Sequence, residues 1–190
     1  MGDVGYYRYQ LELYQKLGVL CSLFVDPENP DDFVAGYVGW TNGRQAAIHA
    51  VSPVGKFDGI LAVKLSEVCS MMGEDDYSER LRRLLVLRRA VPTEEMDVEP
   101  GEDLVHAMCR KVMAEERVIT LWVGEREYVG RVSDLNDMRV TLDTLDFFGQ
   151  NPEPVTLTLP EIDMASLGAE DDEMFQILAD NRLADVPDDE

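Results

Sequence analysis

Hydrophobic and polar residues follow two patterns along the chain, and each predicts one kind of element. Apolar residues at helical spacing predict helices near residues 6–17 and 102–116. Continuous apolar runs predict buried strands at 18–25 and 118–123. Three further strands carry apolar residues at every second position: 128–132, 138–142 and 155–159. This alternation is typical of a sheet with one buried face.

The whole pattern occurs twice. Shifting the sequence by 94 residues against itself, without a gap, aligns six identical pairs: Gly36 with Gly130, Val38 with Val132, Asn42 with Asn136, Gly55 with Gly149, Leu65 with Leu159 and Glu67 with Glu161. Acidic clusters at 74–76 and 170–173 close the two halves. Because acidic residues favour the first turn of a helix, each cluster predicts a helix start.

A segment with two prolines and a glycine, residues 91–101, separates the halves and predicts a linker. The sequence therefore predicts a first domain at 1–90, a second at 102–182, and an acidic tail at 183–190.

Each half resembles the small SH3-like barrels of the Sm-like family. Residues 118–132 resemble the first two Sm strands, with Gly130 where a glycine lets the second strand bend, and 135–142 resemble the following turn and third strand. The resemblance covers about 103–165 and, more weakly, 8–70. It implies an α+β, mainly β fold of two tandem Sm-like barrels, each with an N-terminal helix and a following helix.

The usual RNA-binding loop residues of the family are missing. Sm-like proteins bind RNA through an Asp-x-x-Met-Asn loop and a second loop with Arg-Gly or Lys-His. The first loop here holds residues 138–139 or 44–45, and the second holds 159–161 or 65–67, which include Glu161 and Glu67. A carboxylate thus replaces the basic side chain that would meet phosphate, and Sm-type RNA binding is not expected.

The net charge of -21, from 17 basic and 38 acidic residues, also disfavours nucleic acid as a partner and argues against anionic membranes. No apolar run reaches the roughly 20 residues that a membrane helix needs. The N-terminus has no basic segment followed by an apolar run. The sequence predicts a cytoplasmic protein with no membrane partner, whose cysteines, Cys21, Cys69 and Cys109, are reduced core thiols.

No catalytic motif is present. His49 and His106 are the only histidines and lack a neighbouring nucleophile, while Asp143, Asp146 and Glu161 are better read as a solvated face than as paired catalytic carboxylates. We expect no enzymatic activity, no cofactor and no metal site.

Two features mark candidate interaction residues. Trp40 lies at a predicted hairpin end and is a candidate exposed anchor. Five arginines lie on the helix after the first barrel: Arg80, Arg82, Arg83, Arg88 and Arg89. Residues 96–190 carry a net charge of -17 and residues 1–95 only -4. We therefore expect these arginines to meet the acidic second half, within the chain or in another subunit, with nucleic acid and a separate acidic protein as the alternatives.

Together these features predict a non-enzymatic protein that binds macromolecules, through a protein partner or self-association. Two alternatives stay open: a nucleic-acid-binding regulator that uses the arginine-rich helix 80–89, and a small-ligand-binding protein or enzyme with a site between the barrels.

Overall fold

The computed structural model describes residues 4–29, 33–150 and 153–181 and shows a mixed α/β fold with one large antiparallel sheet. The first half comprises α1 (Val4–Leu17), β1 (Leu20–Phe24), β2 (Phe33–Thr41), β3 (Gln45–Val51), β4 (Phe57–Lys64), β5 (Ser70–Gly73) and α2 (Asp76–Arg88). The second comprises α3 (Leu104–Glu115), β6 (Val118–Val123), β7 (Arg126–Asn136), β8 (Arg139–Thr144), β9 (Glu153–Thr158), a 3₁₀ turn (Leu159–Glu161), β10 (Met164–Leu167) and α4 (Glu170–Asp180).

Acidic side chains begin three of the helices. The Asp75 carboxylate accepts a hydrogen bond from the Ser78 amide at the start of α2, and Asp103 accepts one from the His106 amide at the start of α3. These bonds satisfy amide groups that a helix leaves free at its first turn. The predicted acidic cluster at 170–173 forms the first turn of α4. Both clusters therefore begin helices as predicted.

The ten strands form a single sheet in the order β5-β1-β2-β3-β4-β10-β6-β7-β8-β9, and each pair of neighbours is antiparallel. Within each half the strands follow the same order, since β10 lies beside β6 as β5 lies beside β1. The halves join where β4 pairs with β10, with Ile60 opposite Leu167 and Val63 opposite Met164.

This sheet is open, with β5 at one end and β9 at the other. The mixed helix and strand content agrees with the predicted fold class, whereas the expected pair of separate barrels is replaced by one continuous sheet. The physical reason lies in β10, which uses one edge for β6 and its other edge for β4. A strand that is paired on both sides extends a sheet from one half into the other.

The largest core cluster also crosses the junction. It contains Ala47 and Ile60 of the first half together with Met108, Ile119 and Leu142 of the second, all nearly inaccessible to solvent. The predicted linker at 91–101 contributes as well, because Met96 belongs to this cluster. The domain limits at 90 and 102 stay a prediction, and the predicted tail at 183–190 lies outside the described residues.

Cys21 and Cys109 are buried and Cys69 is half-buried, all three as free thiols. No helix among the described residues is long and apolar enough to cross a membrane.

Candidate interaction surfaces

Helix α2 presents the predicted arginines to solvent because its opposite face is apolar. Leu81 and Leu85 are buried against Leu20 of β1, Ala35 of β2 and Val51 of β3. The outward face carries the arginines, since residues 80, 82, 83, 88 and 89 are all exposed. The five arginines therefore form an exposed basic surface, and their role in partner binding stays a prediction.

The acid that these arginines meet lies on their own helix. Arg82 donates two hydrogen bonds to the Glu79 carboxylate, at 2.8 and 3.0 Å, and Arg83 donates one at 2.7 Å. Hydrogen bonds from Arg82 and Arg83 lower the pKa of Glu79 to about 2. Within the part of the chain that the structure describes, no α2 arginine pairs with an acid of the second half.

The other arginines have different environments. Arg88 donates from Nε to the Val54 carbonyl oxygen at 2.8 Å, which ties α2 to the turn between β3 and β4. Arg89 ends the helix in a left-handed conformation, with φ of 54°. Arg80 is exposed, and no hydrogen bond or ion pair of its side chain occurs among the described residues. Arg80 and Arg89 are therefore the arginines most available to a partner.

Trp40 is half-buried rather than an exposed anchor. Its ring lies 5.0 Å from the His49 ring and packs against the core cluster that spans the junction. Burial lowers the pKa of His49, which favours the neutral imidazole. Trp40 thus helps to join the two halves, and its role in partner binding stays a prediction.

His106 and Asp146, which the sequence raised as candidates for chemistry, have structural partners. His106 Nδ1 on α3 lies 3.0 Å from the carboxylate of Glu102, which precedes the helix, and the Asp146 carboxylate accepts hydrogen bonds from the amides of Phe148 and Gln150. Asp146 therefore holds the turn between β8 and β9. No group of three metal-binding side chains occurs in the described ranges.

A cavity at the junction brings together four loops that the sequence analysis considered separately. Its volume is about 490 Å³. The lining residues come from both halves: Val4, Arg44, Gln45, Lys64, Ser66, Asp103, Asp137, Met138, Leu159 and Pro160. These include residues of the four loops whose sequences were compared above with the RNA-binding loops of the Sm-like family. Their convergence was not predicted, because it depends on the pairing of β4 with β10.

Gln45 positions one wall of this cavity. This buried side chain donates to the Asp103 carboxylate and accepts from the Leu104 amide, both at 2.9 Å. Nearby, Lys64 Nζ lies 2.9 Å from Asp163 of the second half. Hydrogen bonds and an ion pair therefore connect the two halves at this cavity, and its wall carries both positive and negative groups.

The two ends of the sheet are the remaining candidate surfaces. At one end β5 pairs only with β1 among the described strands, and at the other β9 pairs only with β8. Pro154 of β9 is the counterpart of Ile60 of β4. Pro154 lies opposite Asp143, and Ile60 lies opposite His49, at the same place in each half. Proline has no backbone donor and blunts a free edge. The β5 edge contains no proline.

Comparison with protein-family models, curated proteins and solved structures found no match.

Proposed function

We propose that this protein is a non-enzymatic interaction module, built on two Sm-like halves, that binds a partner protein by accepting an extended segment at the free edge of β5. The single observation that carries the proposal is the pairing of β4 with β10. In the second half, β10 is the equivalent of β5, and its outer edge pairs with β4. In the first half, the outer edge of β5 has no paired strand among the described residues.

An open strand edge presents unpaired amide and carbonyl groups, which an extended peptide satisfies by adding a strand. β5 is suited to this role because its counterpart already forms such a pairing over four residues, from Met164 to Leu167. At the other end of the sheet, Pro154 withholds one donor from any incoming strand. The chain thus has one receptive end and one blunted end.

The residues that follow β5 indicate the charge of the partner segment. Glu74 and Asp75 lie between β5 and α2, Asp76 begins α2, and all three line a cavity of about 430 Å³ beside β1. A carboxylate cluster at the end of a receptive edge favours an incoming strand with basic residues at its end. A net charge of -21 supports the same choice, since it attracts basic proteins at long range.

Affinity capture from the native cell tests the proposal when it is repeated with two matched variants. Met72→Lys places a charge on the exposed β5 edge, and Met113→Lys places the same charge on α3 at similar exposure, 43% against 48%. We expect the parent and Met113→Lys to capture the same protein and Met72→Lys to lose it. Equal capture by all three proteins contradicts the proposal.

The junction cavity favours a second candidate function, a site for a small anionic ligand. Arg44 lines the cavity, and no ion pair of its side chain occurs among the described residues. A volume of about 490 Å³ is within the range of small-molecule sites. A thermal-shift screen tests this function: a ligand that stabilises the parent and the Arg126→Ala control but not Arg44→Ala supports it, and a screen without any stabilising ligand counts against it.

A further inference from the structure

The two halves present equivalent surfaces formed by a turn that lies against a helix. In the first half, a β-carbon added to Gly55 would lie 2.3 Å from Cβ of Leu84, so the β3–β4 turn touches α2. In the second half, Gly149 stands in the same relation to Leu178 of α4, at 2.5 Å. We call the outer face of α2 with Val54 the α2 surface, and the outer face of α4 with Phe147 and Phe148 the α4 surface.

Both surfaces expose large apolar side chains. Leu87 is 81% exposed on the α2 surface, where Val86 and Val54 are exposed as well. On the α4 surface Phe147 is 80% exposed and stacks edge-to-face on Phe148, while Met174 and Ile177 are exposed on the helix. Single exposed apolar residues are common, but two such groups on the equivalent helix and turn of the two halves indicate contact surfaces.

The charges of the two surfaces are opposite. Arg80 and Arg83 lie one turn apart on the helix face that also carries Leu87. Arg80 has no hydrogen bond or ion pair among the described residues, and Arg83 Nε is paired with Glu79 on the same helix. The α4 helix contains five acidic residues and no basic one. Of these, Asp171 and Glu173 are exposed beside Met174, and neither side chain has a hydrogen bond or ion pair among the described residues. Both surfaces therefore expose apolar side chains that can pack together, and the charged residues around them have opposite signs and attract each other.

Within one chain the two surfaces lie on different parts of the sheet. α2 packs on β1 and α4 packs on β6, and four strands separate β1 from β6: β2, β3, β4 and β10. Where the structure describes both helices, no arginine of α2 is paired with an acid of α4. The complementary surfaces consequently fit a partner chain rather than each other.

We propose that the α2 surface of one copy docks on the α4 surface of a second copy of this chain. Each chain carries one surface of each kind, so two copies satisfy both contacts in a closed dimer. The net charge of each chain opposes approach at long range. At physiological ionic strength, however, the screening length is about 8 Å, so the charges in direct contact decide the interaction. The contact uses neither free strand edge and is independent of partner binding at β5.

A charge exchange between the surfaces tests this contact by light scattering. The first variant, Arg80→Glu with Arg83→Glu, puts acidic residues at the two contact positions of the α2 surface, and the second, Asp171→Arg with Glu173→Arg, puts basic residues at the two contact positions of the α4 surface. We expect the parent to associate and each variant alone to have the 21.4 kDa mass of one chain. Mixing the variants in equal amounts restores two attractive contacts per pair, and the mass returns to that of the parent assembly.

The controls separate this contact from general effects. Arg126→Glu with Arg139→Glu makes the same change in net charge at exposed positions of β7 and β8, and it is expected to associate like the parent. Circular dichroism melting verifies that every variant is folded. A parent chain that stays monomeric at all concentrations overturns the proposal. This holds even if the same arginines are found to bind RNA. Folded variants that fail to associate on mixing overturn it as well.

Discussion

Gly36 of β2 lies directly against the backbone of His49 in β3: a β-carbon on Gly36 would stand 2.2 Å from the His49 carbonyl oxygen. Gly130 has the same relation to Asp143 in the second half, at 2.4 Å. Gly36 and Gly130 align with each other in the sequence repeat. The obstacle is main chain of a paired strand, which moves far less easily than a side chain.

We therefore expect Gly36→Val and Gly130→Val to lower the free energy of unfolding by about 3 kcal/mol each. Gly39→Ala is the matched control in β2, because its new carbon would meet the His49 ring at 3.1 Å, and a side chain can rotate away. Urea unfolding followed by circular dichroism measures the three values. If both valine variants have the same urea midpoint as the parent, the close approach of the paired strands at these glycines does not contribute to stability, and the prediction is wrong.

Periodicity located most helices and strands of this fold but missed two strands. The alternation at 138–142 corresponds to β8, and the acidic clusters mark the starts of α2 and α4. β5 and β10 have only four residues each, which is too short for an alternation to be recognised. Because β10 is the strand that joins the halves, the local sequence pattern could not predict the open sheet or the junction cavity.

The junction depends on Gly59, whose φ is +71°. A β-carbon there would lie 2.3 Å from the Leu167 carbonyl oxygen and 2.5 Å from the Ala169 amide nitrogen. We expect Gly59→Ala to separate β4 from β10, to lower the unfolding free energy by about 3 kcal/mol, and to open the 91–101 segment to proteolysis.

Gly124→Ala is the control for backbone strain alone. Gly124 also has a positive φ, 58°, but nothing lies within 4 Å of the added carbon. Its cost is about 1–2 kcal/mol, from the left-handed conformation. If both variants show the same stability and the same proteolytic pattern, the close approach of Gly59 to the β10–α4 connection is not important to the junction.

The three thiols are expected to differ in reactivity. Burial raises the pKa of Cys21 and of Cys109 to about 12. Because the thiolate is the reactive form, both react slowly in the folded protein. Cys69 is half-buried, with Sγ donating to the Phe24 carbonyl oxygen at 3.1 Å. Alkylation followed by mass spectrometry is expected to label Cys69 first and all three in denaturant; equally rapid labelling of Cys109 in the native state contradicts this order.

Asp172 is buried beneath α4 in a polar cluster with the sheet. Its carboxylate accepts hydrogen bonds from the hydroxyls of Thr120 and Ser166, at 2.6 and 2.7 Å, and from the Ala169 amide at 3.1 Å. Burial raises the pKa of Asp172 to about 6, although the three hydrogen bonds oppose the shift. Ser78 occupies the matching position of the first half, so this titrating group belongs to the second half alone.

The direction of this shift fixes how stability depends on pH. The folded pKa lies above the ordinary value of 3.8, so the folded state favours the protonated acid. The resulting stabilisation is complete below about pH 4 and is lost as the pH rises through about 6. A shift of about two pH units corresponds to about 3 kcal/mol.

Asp172→Asn cannot ionise, so we expect the unfolding free energy of this variant to gain about 3 kcal/mol on the parent between pH 4 and pH 7. Urea unfolding at several pH values measures the gain, with exposed Asp171→Asn as the control, and a constant difference between Asp172→Asn and the parent over this interval would disprove the raised pKa.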